Sequence, residues 1–334
     1  MMRHRTWRGA VATALTLCLM LPAWAQASEP WGELELSGSI RQARDPAIIE
    51  SGGRFYLFTT GPGIPIRCSE DLHHWEPCGI VSIGLPRWGR DLVPGATAIW
   101  APDVSFFSER YHLYYSVSTF GSNVSAIGLF TNTTLDSDDP AYAWVDHGPV
   151  IASTGREDWN AIDPNIVLTP EGEVWMVFGS FWSGIKMLRI DPATGMPHAE
   201  DTTLYDIASR HEPPRAIEAP FIVYRDGFYY LFVSFDHCCQ GVASDYNIRV
   251  GRATEVTGPY VDRDGVPMLE GGGTLLVGPT ERYPGSGHNA VFSANGIDYL
   301  AYHGYDVTFG GSATLRIEVL AWDEDAWPVA TGQP

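Results

Sequence analysis

The chain has 334 residues, of which 45% are hydrophobic and 12% are aromatic. This content supports a large apolar core and excludes a disordered, collagen-like or small disulfide-stapled protein. Its 40 acidic and 21 basic residues give a formal net charge of -19. We therefore expect neither a nucleic-acid nor a membrane partner, because binding to their anionic surfaces depends on clustered cations.

The N-terminus has the pattern of a targeting segment. Arg3, Arg5 and Arg8 precede an apolar run from Val11 to Leu21, and small residues follow up to Ala27. This order predicts a secretory signal peptide over residues 1–27. The alternative, a membrane anchor, is disfavoured because the apolar run is too short to span a bilayer. Residues 28–334 are then the mature protein, which we expect to be periplasmic or extracellular.

One strand–turn–strand pattern occurs five times along the mature chain. Each copy is a short apolar strand, a turn and an aromatic strand, and the copies begin at Asp45, Ala101, Asp163, Ala219 and His288. We expect Asp-Gly or Asn-Gly turns in these hairpins, because a two-residue connection needs positive φ. The residues between copies leave room for two more strands. Five four-stranded units without a long helix predict an all-β fold, a single five-bladed β-propeller.

Four cysteines remain after removal of the signal peptide. Cys68 and Cys78 flank one short loop and could form a disulfide, whereas Cys238 and Cys239 are adjacent and could form a vicinal disulfide. Buried thiols remain the alternative for both pairs. Neither pair has the spacing of a zinc site.

Acidic residues stand at the start of two copies and directly before the start of a third. Asp45, Asp163 and Glu218 stand where innermost strands begin, so they should converge on one mouth of the channel. Any single Asp before Pro is explained by a turn. Three converging carboxyls are costly to place together, and such clusters are usually kept for proton transfer or for a metal.

Six motifs resemble glycoside hydrolase family 43, and within it the endo-1,5-α-L-arabinanases. They are Arg44-Asp45-Pro46, Trp100-Ala101-Pro102-Asp103, Asn160-Ala161-Ile162-Asp163-Pro164-Asn165, Gly179-Ser180-Phe181-Trp182-Ser183-Gly184, Glu218-Ala219-Pro220 and Gly287-His288-Asn289. The segment from Phe235 to Gly241 is similar to arabinanases rather than to the xylosidase branch. The resemblance covers about residues 38 to 330, almost the whole mature chain.

The resemblance implies hydrolysis of internal α-1,5-L-arabinofuranosyl linkages of arabinan with inversion of configuration. It implies that Asp45 is the general base, that Glu218 is the general acid, and that Asp163 orients the acid and raises its pKa. An inverting enzyme needs its acid and base about 6.5–9.5 Å apart so that a water fits between them. The two walls of a propeller channel could supply that gap.

The resemblance also implies a metal and a substrate site. The matching His in the family belongs to a calcium site, which makes His288 a candidate ligand for calcium held partly through water. We expect sugar contacts from aromatic, amide and hydroxyl side chains and from one loop glycine: Trp100, Phe120, Gly121, Asn160, Asn165, Ser180, Phe181, Trp182 and Ser183. We expect the protein to be a monomer and its binding partner to be arabinan or arabino-oligosaccharides.

Other functions remain open at this point. An exo-acting arabinanase, an arabinofuranosidase or a xylosidase would differ in whether the cleft is open at both ends or blocked. A fructan hydrolase would carry its Asp-Pro-Asn in the first blade, whereas here Asp163-Pro164-Asn165 opens the third. A sugar-binding propeller without catalysis would need aromatics and amides but not three acids. His211 and His303 are taken as structural.

Overall fold

The computed structural model describes residues 1–2 and 32–332. The chain divides into two units, residues 1–30 and 31–334. Apart from Met1 and Met2, the predicted signal peptide lies outside the described residues. Within the described part, no helix is long and apolar enough to cross a membrane.

The second unit consists of five sheets, each with four strands in chain order and antiparallel neighbours. Blade 1 contains β2 (Ala47–Ser51), β3 (Arg54–Phe58), β4 (Pro65–Ser69) and β5 (His74–Ile80), with β1 (Ser37–Gly38) added parallel to β5. Blade 2 contains β6 (Trp100–Phe107), β7 (Arg110–Val117), β8 (Val124–Asn132) and β9 (Val145–Thr154). Blade 3 contains β10 (Asn165–Leu168), β11 (Val174–Phe178), β12 (Ile185–Ile190) and β13 (Tyr205–Ala208).

The last two blades follow the same plan. Blade 4 contains β14 (Ile217–Arg225), β15 (Phe228–Phe235), β16 (Asn247–Ala253) and β17 (Thr274–Val277). Blade 5 contains β18 (Ser286–Ala294), β19 (Ile297–Asp306), β20 (Ser312–Trp322) and β21 (Pro328–Ala330). Helical structure in residues 32–332 is limited to α1 (Arg87–Leu92) and three single 3-10 turns (Gly241–Ala243, Met268–Glu270 and Val307–Phe309).

The first strands of the blades, β2, β6, β10, β14 and β18, contact one another in order around a ring. This arrangement confirms the predicted five-bladed propeller. Apolar side chains fill the spaces between neighbouring blades, where Tyr115, Phe178, Phe232 and Tyr302 are fully buried. Because each blade covers the face of the next, no single blade could bury its apolar surface alone.

The hairpin turns are only partly those predicted. Asp226-Gly227 and Asn295-Gly296 have positive φ at both residues, as expected for tight hairpins. In blade 2 the same conformation is held by Ser108 and Glu109, with φ of 47° and 60°. The expected Asp-Gly or Asn-Gly turn is therefore absent from blades 1 and 3, whose turns contain Gly52-Gly53 and Glu171-Gly172. It is also absent from blade 2, where the pairing of the flanking aromatic strands overrides the local preference of Ser108 and Glu109.

A left-handed residue opens or interrupts the first strand of every blade. The φ angles are 53° at Asp45, 42° at Ala101, 57° at Asp163, 52° at Ala219 and 54° at His288. In blades 2, 4 and 5 this residue and its successor lie opposite a single residue of the second strand, so the strand bulges. Left-handed conformation costs a non-glycine residue about 1–2 kcal/mol. The five copies found in the sequence thus share an unusual backbone position.

Each of these left-handed residues donates its N–H to a side chain of the preceding blade. The donor–acceptor pairs are Ala101 with Thr60 Oγ1 at 2.7 Å, Asp163 with Ser116 Oγ at 2.9 Å, His288 with Ser234 Oγ at 2.8 Å and Asp45 with His303 Nδ1 at 3.2 Å. Blade 3 has Gly179 at the acceptor position, and there Asp163 Oδ2 accepts the N–H of Ala219 at 3.2 Å instead. Five hydrogen bonds therefore join the blades around the channel mouth.

The ring is closed by the segment before the first blade. Its backbone pairs with β20 of blade 5 through Leu34 N to Ile317 O and Leu315 N to Ile40 O, both 2.8 Å. Arg316, almost fully buried, forms an ion pair with Glu33. The segment before the first blade therefore pairs with blade 5 and, through β1, with blade 1. This pairing holds the two ends of the propeller together.

Both cysteine pairs form disulfides in the structure. Cys68–Cys78 joins β4 to β5 in the outer half of blade 1. Cys238–Cys239 is a vicinal disulfide that follows β15 in blade 4. The two bonds therefore occupy different environments, one in the outer part of a blade and one near the channel.

Asp103 and Asn165 connect three blades below the channel mouth. The Asp103 carboxylate accepts hydrogen bonds from Asn165 Nδ2 at 3.0 Å and from Ile166 N at 2.9 Å. Asn165 Oδ1 in turn accepts the N–H of Ile222 in blade 4 at 2.9 Å. Burial raises the pKa of Asp103 to about 6 despite these two hydrogen bonds.

This shift predicts a measurable pH dependence of stability. Because the folded pKa of Asp103 lies above its unfolded value, the folded protein loses stability through this group as the pH rises from about 4 to 6. Asp103→Asn removes the titration. The unfolding free energy of the variant minus that of the wild type should therefore rise by about 3 kcal/mol over that interval. Denaturant unfolding at several pH values measures the difference. Asp138→Asn, at an exposed position, is the matched control; a constant difference for Asp103→Asn would contradict the prediction.

Candidate active site

A cavity of about 420 Å³ opens at the channel mouth where the inner strands begin. Its lining includes nine of the predicted catalytic and sugar-binding side chains, together with Gly121 and the predicted metal ligand: Asp45, Trp100, Phe120, Asn160, Asp163, Ser180, Phe181, Trp182, Glu218 and His288. The propeller brings these residues together from all five blades. The prediction that the three acids converge on one mouth is therefore confirmed.

Asp45 is held by polar groups from its own blade and from blade 5. Thr60 donates its hydroxyl hydrogen to Asp45 Oδ2 and accepts the N–H of Ala101. His288 Nδ1 lies 3.2 Å from Asp45 Oδ1. Burial acts to raise the pKa of Asp45, but His288, the Thr60 hydrogen bond and other neighbouring groups outweigh it and lower the pKa. Asp45 is thus kept as a carboxylate, able to accept a proton.

Glu218 receives a hydrogen bond on each of its carboxyl oxygens. The Tyr246 hydroxyl donates to Oε1 at 2.8 Å, and Ser180 Oγ donates to Oε2 at 2.9 Å. Burial raises the pKa of Glu218 more than these two donors lower it. The carboxyl is therefore fixed in orientation and also biased toward its protonated form.

Asp163 is tied to the backbone that carries Glu218. Its Oδ2 accepts the N–H of Ala219, the residue directly after Glu218, and its own N–H is bound by Ser116. Burial raises the pKa of Asp163 well above its ordinary value, and the charges of Glu218 and Asp45 raise it further. Asp163 and Glu218 therefore form a buried pair that holds a proton more readily than a single exposed carboxyl.

Aromatic side chains form the walls of the cavity. Trp100 and Phe120 are in contact, with ring centroids 5.0 Å apart, and Phe120 is 74% exposed. Phe181 and Trp182 both adopt left-handed backbone conformations in the turn after β11. Aromatic faces of this kind pack against the apolar side of a sugar ring.

One polar group in the lining has no hydrogen-bond partner. Asn160 is 2% exposed, and its Oδ1 is buried without a partner in the structure. A buried amide oxygen without a partner is costly. A hydroxyl group of a bound ligand would satisfy it, which agrees with the predicted role of Asn160.

Two predicted sugar contacts lie elsewhere. Asn165 is buried, and its amide donates to Asp103 and accepts from Ile222 N. It therefore joins blades instead of facing the cavity. Ser183 is not part of the lining, and its Oγ is buried without a hydrogen-bond partner. Residue type alone could not distinguish an amide that binds sugar from one that joins strands.

The structure also reveals site residues that sequence reasoning missed. Thr60 and His303 contact Asp45, and Tyr246 contacts Glu218. The repeat alignment held a signal for two of them, because Thr60 and His303 occupy the same place in their blades as Ser116 and Ser234. Tyr246 lies in the third strand region of blade 4, and no periodic signal indicates it.

The predicted calcium site would need oxygen donors around His288. Among residues 32–332, no group of three or more His, Cys, Asp or Glu side chains could hold a metal ion. Calcium prefers six to eight oxygen ligands, whereas His288 offers nitrogen and its Nδ1 already faces Asp45. In the part of the chain that the structure describes, the His, Cys, Asp and Glu side chains therefore do not form a calcium cage by themselves.

Hydrolysis of a glycosidic bond requires one carboxyl that gives a proton and another group that activates water. The cavity contains carboxyls of both kinds, with pKa values shifted in opposite directions, and its walls are aromatic. Fold and site together therefore define a glycoside hydrolase. The sequence agrees with this assignment. Residues 39–328 match the model of the family described as glycosyl hydrolases family 43, and the chain belongs to this family.

Several characterised proteins are similar over almost their full length. The extracellular exo-alpha-(1->5)-L-arabinofuranosidase ArbA of Cellvibrio japonicus is 38% identical, covering 97% of this chain and 92% of that protein. The extracellular endo-alpha-(1->5)-L-arabinanase 1 of Bacillus subtilis is 38% identical, covering 98% and 99%. The structure of an endo-arabinanase of this family from Bacillus licheniformis superposes with a TM-score of 0.82 at 43% identity, covering 89% and 99%.

A glycine behind the site provides a test of the geometry. Gly287 packs directly against the ring of Tyr246, and a Cβ at this position would overlap that ring. Gly287→Ala should displace Tyr246 from Glu218, lower glycosidase activity and cost about 1–3 kcal/mol of stability. Gly278→Ala is the control, because its Cβ would make only an ordinary 3.4 Å contact with Leu275. Thermal unfolding and initial rates measure both effects; full activity in Gly287→Ala would contradict the assigned role of Tyr246.

Proposed function

We propose that the protein is a secreted hydrolase that cleaves internal α-(1→5) linkages of arabinan with inversion of configuration. The observation that carries this proposal is the single cavity in which Asp45 has a lowered pKa while Asp163 and Glu218 have raised ones. Relatives named for both exo and endo action on α-(1→5)-linked arabinose support the substrate class.

In this mechanism Asp45 takes a proton from a water molecule that attacks the anomeric carbon. Glu218 gives a proton to the leaving glycosidic oxygen, so that the bond breaks as the new carbon–oxygen bond forms. Asp163 holds the peptide that follows Glu218 and, as a neighbouring carboxyl, favours the protonated form of the pair. Thr60, Tyr246 and Ser180 keep the two reacting carboxyls in fixed orientations.

Endo action is favoured by the shape of the aromatic surface. Phe120 stands exposed beside Trp100, so the aromatic wall continues outward from the buried carboxyls. A chain that continues past the reacting sugar would find an apolar face there. Exo action remains the second candidate, because two relatives of equal identity are named for the two modes.

Secretion is proposed on two grounds. The N-terminal pattern is that of a signal peptide, and the names of both curated relatives describe extracellular proteins. A propeller that acts as a monomer on a neutral polysaccharide has no need of basic patches, which agrees with the net charge of -19.

We expect purified protein to release a range of arabino-oligosaccharides from linear 1,5-α-arabinan and no xylose from an aryl xyloside. Asp45→Asn and Glu218→Gln should each lower kcat by about 10²–10⁴-fold, because each removes one proton-transfer step. Chromatography of early products separates endo from exo action, and NMR of the fresh product gives its anomeric configuration. Single-sugar release from the start would favour exo action, and activity retained in either variant would refute its assigned role.

Calcium near His288 is the remaining proposal carried by the family resemblance. Since the side chains form no calcium cage, most ligands of such an ion would be water, and the mechanism above does not use it. Titration calorimetry of chelator-treated protein with calcium should show one bound ion per chain, with binding lost in His288→Ala. No binding heat in the wild-type protein would show that Asp45 and His288 satisfy each other without an ion.

A further inference from the structure

The vicinal disulfide is linked to Asp45 by three consecutive hydrogen bonds. Cys238 and Cys239 line the cavity, and the N–H of Cys239 donates to the Tyr305 hydroxyl at 2.7 Å. His303 Nε2 lies 3.2 Å from the same hydroxyl, and the N–H of Asp45 donates to His303 Nδ1 at 3.2 Å. These contacts cross from blade 4 through blade 5 to blade 1.

One tautomer of His303 satisfies all the contacts in this chain. Because His303 Nδ1 accepts from the Asp45 N–H, the ring is neutral and carries its hydrogen on Nε2, which donates to Tyr305. The Tyr305 oxygen accepts twice and gives its own hydrogen to Cys239 Sγ, 3.7 Å away. His303 and Tyr305 are 1% and 0% exposed, and burial lowers the pKa of His303 to about 4, consistent with a neutral ring.

The acceptor at this blade junction differs from the others. Thr60, Ser116 and Ser234 bind the corresponding N–H groups through short hydroxyl side chains. His303 instead reaches Asp45 with one ring nitrogen, so the orientation of its ring, and with it the position of Nδ1, also depends on what the other ring nitrogen contacts. Tyr305 supplies that second contact.

The disulfide fixes the group that holds Tyr305. A bond between the sulfurs of adjacent residues closes a small ring around their peptide bond, which removes most of the conformational freedom of that peptide. The Cys239 N–H therefore has one direction, toward Tyr305, and Cys239 itself is held in a left-handed conformation with φ of 68°.

We propose that the Cys238–Cys239 disulfide and Tyr305 are positioning residues for Asp45, acting through His303. The inference rests on the proposed role of Asp45 as general base. It assigns the disulfide a part in catalysis beyond stability: it keeps the backbone of Asp45, and with it the carboxylate, at a constant place above the channel.

A disulfide that only contacts the sugar would give a different kinetic result from one that positions Asp45. If the disulfide served only as a wall against the sugar, its loss would weaken substrate binding and raise KM with kcat unchanged. A positioning role instead lowers kcat, because the carboxylate is displaced in the free enzyme and in the complex alike.

The test compares variants along the chain on linear arabinan. Tyr305→Phe and the double variant Cys238→Ala/Cys239→Ala should each lower kcat by about 10- to 100-fold, the cost of a small misplacement of a reacting group, with KM changed less than about twofold. Two matched controls should lose stability but keep kcat. They are Cys68→Ala/Cys78→Ala, which removes the other disulfide, and Tyr114→Phe, which removes a buried hydroxyl bonded to Gly195 O at 2.8 Å.

A double-mutant cycle separates positioning from general damage. His303→Asn retains an acceptor for the Asp45 N–H and should keep more activity than His303→Leu. In the His303→Asn background, Tyr305→Phe should have little further effect on kcat, because Tyr305 acts through the His303 ring. Nitrogen NMR of the wild-type protein should show His303 with its hydrogen on Nε2.

The outcomes are distinct. Unchanged kcat in Tyr305→Phe, or equal losses from Tyr305→Phe in the wild-type and His303→Asn backgrounds, would overturn the inference even if the cysteine variant failed to fold. Raised KM with normal kcat would make the disulfide a substrate contact only. If Asp45→Asn retained activity, the proposed function itself would fail, whereas its loss together with a normal Tyr305→Phe would refute only the positioning role.

Discussion

The structure depends on how one backbone N–H per blade is satisfied. Each inner strand follows or contains a left-handed residue, whose N–H donates to a side chain of the preceding blade. In four cases the acceptor lies at the same position of that blade. In the fifth, Gly179 has no side chain, and the carboxylate of Asp163 takes over. The same constraint that joins the blades therefore places Asp45, Asp163 and His288 around one cavity.

This arrangement also decides the protonation of the acids. Asp45, Asp163 and Glu218 are all buried, and burial alone would raise every pKa. Asp45 differs because His288 and Thr60 contact its carboxylate, whereas Asp163 faces other carboxyls. Each of these partners comes from a different part of the ring. The separation between a base and an acid is thus a consequence of blade order.

Comparison with the sequence shows where pattern reasoning succeeds. The five copies followed from periodicity and the convergence of the three acids from their places at the copy starts, and the structure has them in those places. Tight turns were predicted correctly at Asp226-Gly227 but not at Ser108-Glu109, because pairing of the long strands in blade 2 imposed the turn. Asn165 resembled a sugar ligand in its motif, yet it joins Asp103 to Ile222 across two blade junctions.

The sequence by itself determined the number of blades, the position of each inner strand and the identity of the acids, because these depend on local periodicity and on residues a few positions apart. Only the tertiary structure decided which acid is charged, which polar side chains hold it and how the vicinal disulfide meets Tyr305. Those properties depend on contacts such as Asp45 with His303, which are 258 positions apart in the chain. Burial and hydrogen bonding between blades act only after the ring has closed, and no local pattern records them.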